Sequence, residues 1–194
     1  MKLYYAPLAC SLADHIALLE AGIDADYVRV DLKTKRTSTG EDFVTINPKG
    51  YVPALTLDSG ETLTENIAVL DWIATQYAPL AVGGILGRTR LLEALTFIST
   101  EIHRSFKPFW HDSSEAQKQR ARAAIAGQFQ LLADGRDRPY LLGETPSVAD
   151  LYLFVMLLWA RRFGVTVPDS LLLLEDRVAS RRSTRIAMRA EGLL

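Results

Sequence analysis

Cysteine is all but missing: Cys10 is the single one among 194 residues. One thiol cannot close an intramolecular disulfide, so the chain suits a reducing, cytoplasmic setting, where mixed disulfides are the only redox chemistry open to Cys10. Histidine is scarce as well, with three residues, and no His and Cys spacing suits zinc. There is no excess of charge, since 22 basic and 23 acidic side chains leave a formal net charge of -1. Such a balance gives no long-range pull toward nucleic acid or anionic lipid. The late arginines Arg177, Arg181, Arg182, Arg185 and Arg189 recur at spacings of three and four and read as the wet face of the last helices. The longest apolar run, Leu151 to Ala160, falls far short of the ~20 residues that cross a bilayer. No basic and apolar targeting pattern precedes Leu3-Tyr4-Tyr5. No glycine-rich phosphate loop follows a strand, and no Ser-x-His-Asp order is apparent.

With 48% hydrophobic and 23% charged residues, the composition is that of an ordinary globular chain, enough for one large domain or two small ones. Two styles of sequence follow each other. Up to about Tyr77, short apolar segments alternate with helical patterns: Leu3-Tyr4-Tyr5 as a strand, Leu12, Ile16 and Leu19 at helical spacing, and Tyr27-Val28-Arg29-Val30 as a strand. Ala54 to Leu57 and Thr62-Leu63 then pair across a turn at Asp58-Ser59-Gly60, and Ile67, Leu70, Ile73 and Ala74 mark a second helix. The spacing predicts an α/β domain over residues 1–78, a Pro- and Gly-bearing linker over 79–87, and an all-helical domain over 88–194. In the first helix of that domain Leu91, Leu95, Ile98, Ile102 and Phe106 fall on one face, and Thr96, Thr100, His103 and Lys107 on the other. Pro108 should end or kink it. Ser147-Val148-Ala149-Asp150 has capping-box spacing before a nearly all-apolar helix expected at the centre of the domain.

Three places put reactive or hydrogen-bonding groups at element ends, where a small thiol ligand could be held. Cys10 opens a helix in Pro7-Leu8-Ala9-Cys10-Ser11-Leu12. Unpaired N–H groups and the positive end of the helix dipole favour a thiolate there, so a pKa lowered by about one unit or more is expected. The same donors could hold a ligand's thiolate, and a buried cysteine packing as a small hydrophobe is the plainer reading. The Val52-Pro53 pair precedes a strand. A cis bond costs little only before proline and would turn the neighbouring N–H and C=O toward a cleft, whereas a trans proline entering a strand is the common case. Glu65-Asn66 begins a helix, where a carboxylate can take a ligand's ammonium and the helix N–H groups its carboxylate. A first-turn acid that complements the dipole is the alternative for Glu65.

The run Asn47-Pro48-Lys49-Gly50-Tyr51-Val52-Pro53-Ala54-Leu55, the opening Cys10-Ser11 and the segment Thr100-Glu101-Ile102-His103 together resemble a bacterial beta-class glutathione S-transferase. The resemblance covers essentially the whole chain, with the three motifs in order. It implies an α/β thioredoxin-like N-terminal domain (βαβαββα) followed by an all-α helical domain, a homodimer, and glutathione as co-substrate with no metal. It also implies residue roles. Cys10 corresponds to the cysteine beside the glutathione sulfur, and Val52, before a cis Pro53, would pair its backbone with the cysteinyl part of the peptide like an added strand. Glu65 and Asn66 would hold the γ-glutamyl end. Lys35, in a group with Lys33 and Arg36, would reach the glycyl carboxylate. His103 would face the cleft near the sulfur, on a stripe with Thr96 and Thr100, and Thr96 stands where the family often has asparagine. Tyr5 and Ser11, residue types that activate glutathione in other transferase classes, would stand behind Cys10. The implied activity is conjugation of the glutathione thiolate to a small apolar electrophile, a detoxifying transferase. Two alternatives stand beside it: thiol transfer or peroxidase chemistry through a Cys10 mixed disulfide, and a ligand-binding relative without turnover.

Overall fold

Consecutive apolar residues such as Leu3-Tyr4-Tyr5 and Ala54-Leu55, all buried, suit a sheet covered on both faces. The computed structural model describes residues 1–135 and 137–194. In it β1 (Lys2–Tyr5) lies at the centre of a sheet, parallel to β2 (Asp26–Asp31) and antiparallel to β4 (Ala54–Thr56). A two-residue strand β3 (Arg36–Thr37) and β5 (Thr62–Thr64) complete the order β3-β2-β1-β4-β5. The register sets Leu3 beside Tyr27 and Leu55, and Tyr4 beside Val28 and Ala54, so the two rows point to opposite faces. On the Tyr4 face, Phe43 from the single turn α2 (Phe43–Ile46) packs on the Tyr4 ring at 5.7 Å between centroids, in one apolar cluster with Val30 and Val52. The expected βαβαββα order is present, with β3 added as a short edge strand.

The helices α1 (Ser11–Ala21) and α3 (Asn66–Gln76) pack on each other. The sequence predicts α1 as a two-faced helix, yet every residue from Ser11 to Leu18 is buried. The reason is α9 (Arg182–Ala190), which lies along α1 and covers the side that would otherwise meet water. Glu20 near the end of α1 is bound by Arg181 and Ser183 at the start of α9. Met1–Leu80 and Ser180–Leu194 accordingly form one compact unit and Ala81–Ala179 a second. The expected helical domain runs on to residue 194, whereas residues 180–194 pack with the first unit.

In the second unit α4 (Gly87–Phe97) starts where only glycine fits, since a Cβ on Gly87 would sit 1.9 Å from the Val82 carbonyl oxygen. The helix does not run on to Pro108 as one α-helix. It passes into a π-helical turn over Ile98–His103 and a 3-10 turn over Arg104–Phe106 before α5 (Lys107–Trp110), whose first turn holds Pro108. An α-helical approach would press the proline ring against the carbonyl of Arg104, four residues back, so the break comes ahead of the proline. The predicted apolar face is intact, with Leu91, Leu95, Ile98, Ile102 and Phe106 all buried. The helices α6 (Glu115–Ala133), α7 (Val148–Phe163) and α8 (Asp169–Ala179) complete the unit. As expected, α7 is its buried centre, and the Ser147 N–H and hydroxyl both donate to Asp150 Oδ2 at 2.8 Å. No helix among the described residues is long and apolar enough to cross a membrane.

Candidate functional site

Cys10 stands at the position before α1 without capping it, and its thiol points at the Val52 carbonyl oxygen, 3.7 Å away. The loop that presents it is braced on both sides. Ser11 Oγ accepts the Ala6 N–H at 3.3 Å, and Leu8, in the left-handed region at φ 58°, donates its N–H to Glu191 Oε2 at 3.1 Å. The other oxygen of Glu191 meets His15 Nδ1 at 2.9 Å, and the His15 ring stacks on Tyr27 at 4.0 Å and tilts against Tyr5 at 5.5 Å. Burial pushes the Tyr5 and Glu191 acids above their ordinary values, and the Tyr27 hydroxyl up to about 12.

Opposite the thiol, Val52 is buried in the sheet cluster and its bond to Pro53 is cis. Among the described residues the Val52 N–H donates to nothing, which leaves it open to an extended ligand. The turn before it is built by Asn47, whose amide donates to the Tyr51 carbonyl at 2.7 Å and whose side-chain oxygen takes the Lys49 N–H at 3.2 Å. Lys35, also left-handed at φ 56°, lays its ammonium on the Gly50 carbonyl at 2.6 Å. Lys33 and Arg36 are exposed and do not reach this turn, so of the three basic residues the fold brings Lys35 to it.

Glu65 is the third left-handed residue that is not glycine, at φ 72°. Non-glycine residues in this region cost about 1 kcal/mol or more and gather where a site over-determines them. Leu8, Lys35 and Glu65 each stand where the sequence places a ligand contact or its loop. The half-exposed Glu65 carboxylate is bound by Lys49 Nζ and accepts the Tyr51 hydroxyl at 2.7 Å, and these two partners, Lys49 first, hold its pKa below the ordinary value. Asn66 turns inward. With the amide assigned the orientation that satisfies both of its ends, the side-chain nitrogen donates to Asp14 Oδ2 at 2.7 Å and to the Cys10 carbonyl at 3.2 Å, tying the start of α3 to the start of α1. What α3 still offers a ligand at this end is its first-turn N–H groups.

In the second unit, His103 ends the π-helical turn. Its Nδ1 meets the Tyr152 hydroxyl at 2.6 Å and its ring stands edge-on to Trp159 at 4.9 Å. Burial lowers its pKa to about 4, so it is neutral at physiological pH. Thr96 and Thr100 are exposed on the same run, and the Thr100 hydroxyl donates to the Thr96 carbonyl at 3.0 Å.

The family description "Glutathione S-transferase, N-terminal domain" matches residues 9–76, and "Glutathione S-transferase, C-terminal domain" matches residues 115–182. Over the whole of both chains, this one is 38% identical to glutathione S-transferase GstA of Escherichia coli O157:H7. The chain belongs to the glutathione S-transferase family. Among solved structures, a sphingomonad glutathione S-transferase complexed with glutathione is 44% identical with a TM-score of 0.92, covering all of both chains. A bacterial beta-class enzyme from Sphingomonas chungbukensis is 45% identical, also with a TM-score of 0.92 and full coverage of both.

Within this glutathione S-transferase fold one expectation is reversed. The helix start is expected to lower the Cys10 pKa. Burial, followed by the charge of Asp14, raises it instead, and the favourable Ser11 N–H does not offset them. A dipole contributes up to about 2 kcal/mol, while withdrawing a charge from water costs several. Lys49, Tyr51, Asp14 and the Glu191–His15 pair carry no role in the sequence reading. Lys49 and Tyr51 lie two apart in the run that carries the family resemblance, and both reach the same Glu65 oxygen. Glu191 leaves no local signal, because its partners are 176 and 183 residues away.

Proposed function

We propose that this chain conjugates glutathione with Cys10 acting as a neutral hydrogen-bond donor to the glutathione sulfur, not as a nucleophile. The observation that carries the reading is the buried thiol, pushed up by its surroundings and already placed as a donor toward the Val52 carbonyl. Turned toward a ligand sulfur, the S–H and the N–H groups at the start of α1 favour the ligand's thiolate over its thiol, and the displaced proton goes to solvent. The thiolate then attacks an apolar electrophile: a carbon–sulfur bond forms, and in a substitution the leaving group departs with the bonding pair.

The rest of the peptide is read in the same way. The Val52 N–H and C=O pair with the cysteinyl unit as an added strand, and Pro53 keeps that edge in place. Glu65 takes the α-ammonium of the γ-glutamyl end, displacing part of its contact with Lys49 and Tyr51, while N–H groups at the start of α3, beginning with Asn66, take the carboxylate. Lys35 reaches the glycyl carboxylate. His103 acts as an uncharged imidazole, with Thr96 and Thr100 beside it on the same run. Tyr5 and Ser11 shape the loop behind Cys10. The domain reading is a glutathione-binding unit and a helical unit bearing second-substrate residues, joined over 79–87, in a two-fold cytoplasmic homodimer. Sedimentation showing a monomer at micromolar concentration would count against the dimer.

The deciding experiment replaces Cys10 with alanine. Conjugation of an aryl halide should persist at a measurable rate, because the helix N-terminus and the Val52 edge remain. Disulfide exchange with oxidised glutathione should be lost, since that route needs the Cys10 sulfur to displace one glutathione thiolate and form a mixed disulfide. A variant that loses conjugation completely while still binding glutathione would make Cys10 indispensable chemically and sink the donor role.

A further inference from the structure

Within the second unit, the turn at Arg104 and the start of α5 line an open surface hollow of about 470 Å³ together with the first half of α6. Elsewhere in this unit arginines find acids: Arg90 pairs with Glu93 at 2.7 Å, Arg122 with Glu115 at 2.6 Å and Arg161 with Glu175 at 2.8 Å. The three cations on the hollow, Arg104, Lys107 and Arg120, have no ion-pair partner among the described residues, and no carboxylate lines it. Arg104 and Lys107 are three apart on one helical run, where like charges repel. All three cations are exposed, so solvent screens part of that repulsion, and an anion between them relieves the rest.

The neutral groups point the same way. The Gln117 side-chain oxygen is occupied by the N–H and hydroxyl of Ser114, at 2.8 and 3.0 Å, which leaves its amide nitrogen as a donor. Three cations and an amide nitrogen are donors, against the single Ser105 hydroxyl whose proton goes to the Glu101 carbonyl at 2.6 Å, so the matching ligand is one rich in acceptors. Pro108 and Ala121 add an apolar wall.

The geometry points to a binding site for a small organic acid, one or two carboxylates on a body about the size of an aromatic ring, between Arg104, Lys107 and Arg120. The guanidinium forks suit carboxylate oxygens in pairs, and the ring rests against Pro108 and Ala121. All of its residues belong to the second unit and none is among the proposed glutathione contacts.

The test is calorimetric titration of phthalate into the full chain at low salt, with dimethyl phthalate as the uncharged twin and inorganic phosphate as competitor. Phthalate should bind one site per chain, weaken as sodium chloride is added, and bind about tenfold or more weaker to Arg120→Gln, the size of one charge-assisted hydrogen bond. Arg120→Lys should keep part of that affinity, and glutathione affinity should be the same in both variants and the parent. Unaltered melting temperatures would show that the variants fold. Undetectable phthalate binding, equal binding by Arg120→Gln, or equal binding of the dimethyl ester would overturn the site. Displacement of phthalate by phosphate at matched concentration would overturn its assignment to organic acids.

Discussion

Replacing Glu191 with alanine should destabilise the first unit more than any exposed substitution. Glu191 is buried, and its two oxygens serve His15 Nδ1 at 2.9 Å and the Leu8 N–H at 3.1 Å. Alanine leaves both of those groups buried and unpaired, and removing one partner of such a buried pair costs about 3–5 kcal/mol. For a chain of this size about 1 kcal/mol moves the melting temperature by roughly 2–4 °C, so the variant should melt at least about 6 °C lower. Glutamine keeps the shape, can still accept from Leu8 and can donate to His15, so Glu191→Gln should lose only about 1 kcal/mol. The carboxyl also gives the stability a pH course. Burial raises the Glu191 pKa in the folded chain, so its contribution is fully present below the unfolded value of 4.5 and is lost as pH rises through the folded value. The stability gap between wild type and the glutamine variant should therefore narrow as pH rises from about 4.5 toward neutrality. Because Leu8 is held left-handed two residues before Cys10, the alanine variant should also show a raised KM for glutathione. Circular dichroism melts at several pH values and initial-rate kinetics measure all of this. An alanine variant melting within ~1 °C of wild type would refute the reasoning.

Other expectations follow from the same geometry. Glu65→Ala should weaken glutathione binding by roughly 1–3 kcal/mol in calorimetry, and unchanged affinity would remove Glu65 from the contact set. His103, lowered from 6.5 to about 4, contributes stability that is full above pH 6.5 and is lost as pH falls through 4. Denaturant titrations from pH 7 to pH 4 should lose up to about 3 kcal/mol on its account, a slope that His103→Gln flattens. Cys10, buried and held as a thiol, should react with iodoacetamide at pH 7.5 at least about tenfold slower than free glutathione does, and a faster rate would contradict its raised pKa.

Patterns confined to neighbouring residues are legible in the amino-acid sequence. Leu3, Tyr27 and Leu55 mark strands because period-two alternation is a property of the segment itself, and Ser147 with Asp150 marks a cap because both bonds close within one turn. Cys10 shows the limit of that reasoning. Its position at a helix start is legible, but its protonation depends on how deeply the folded chain buries the thiol against Val52, 42 residues later. The inward turn of Asn66 depends on a buried acid in another helix, and the left-handed backbone of Leu8, Lys35 and Glu65 contradicts their intrinsic preference. Tertiary contacts impose that conformation, and no local propensity announces it.

The first unit is discontinuous in the chain, and that has a consequence for how it is made. At roughly 5–20 residues per second, about 10–40 s pass between the emergence of Leu8 and that of Glu191 from the ribosome. Throughout that interval His15 lacks its carboxylate, the outer side of α1 lacks its cover, and the left-handed turn ahead of Cys10 lacks its brace. A nascent chain can assemble the sheet early, but it gains a finished thiol loop only when the residues after 180 arrive. The site is thereby withheld from use until the helical unit has already been synthesised.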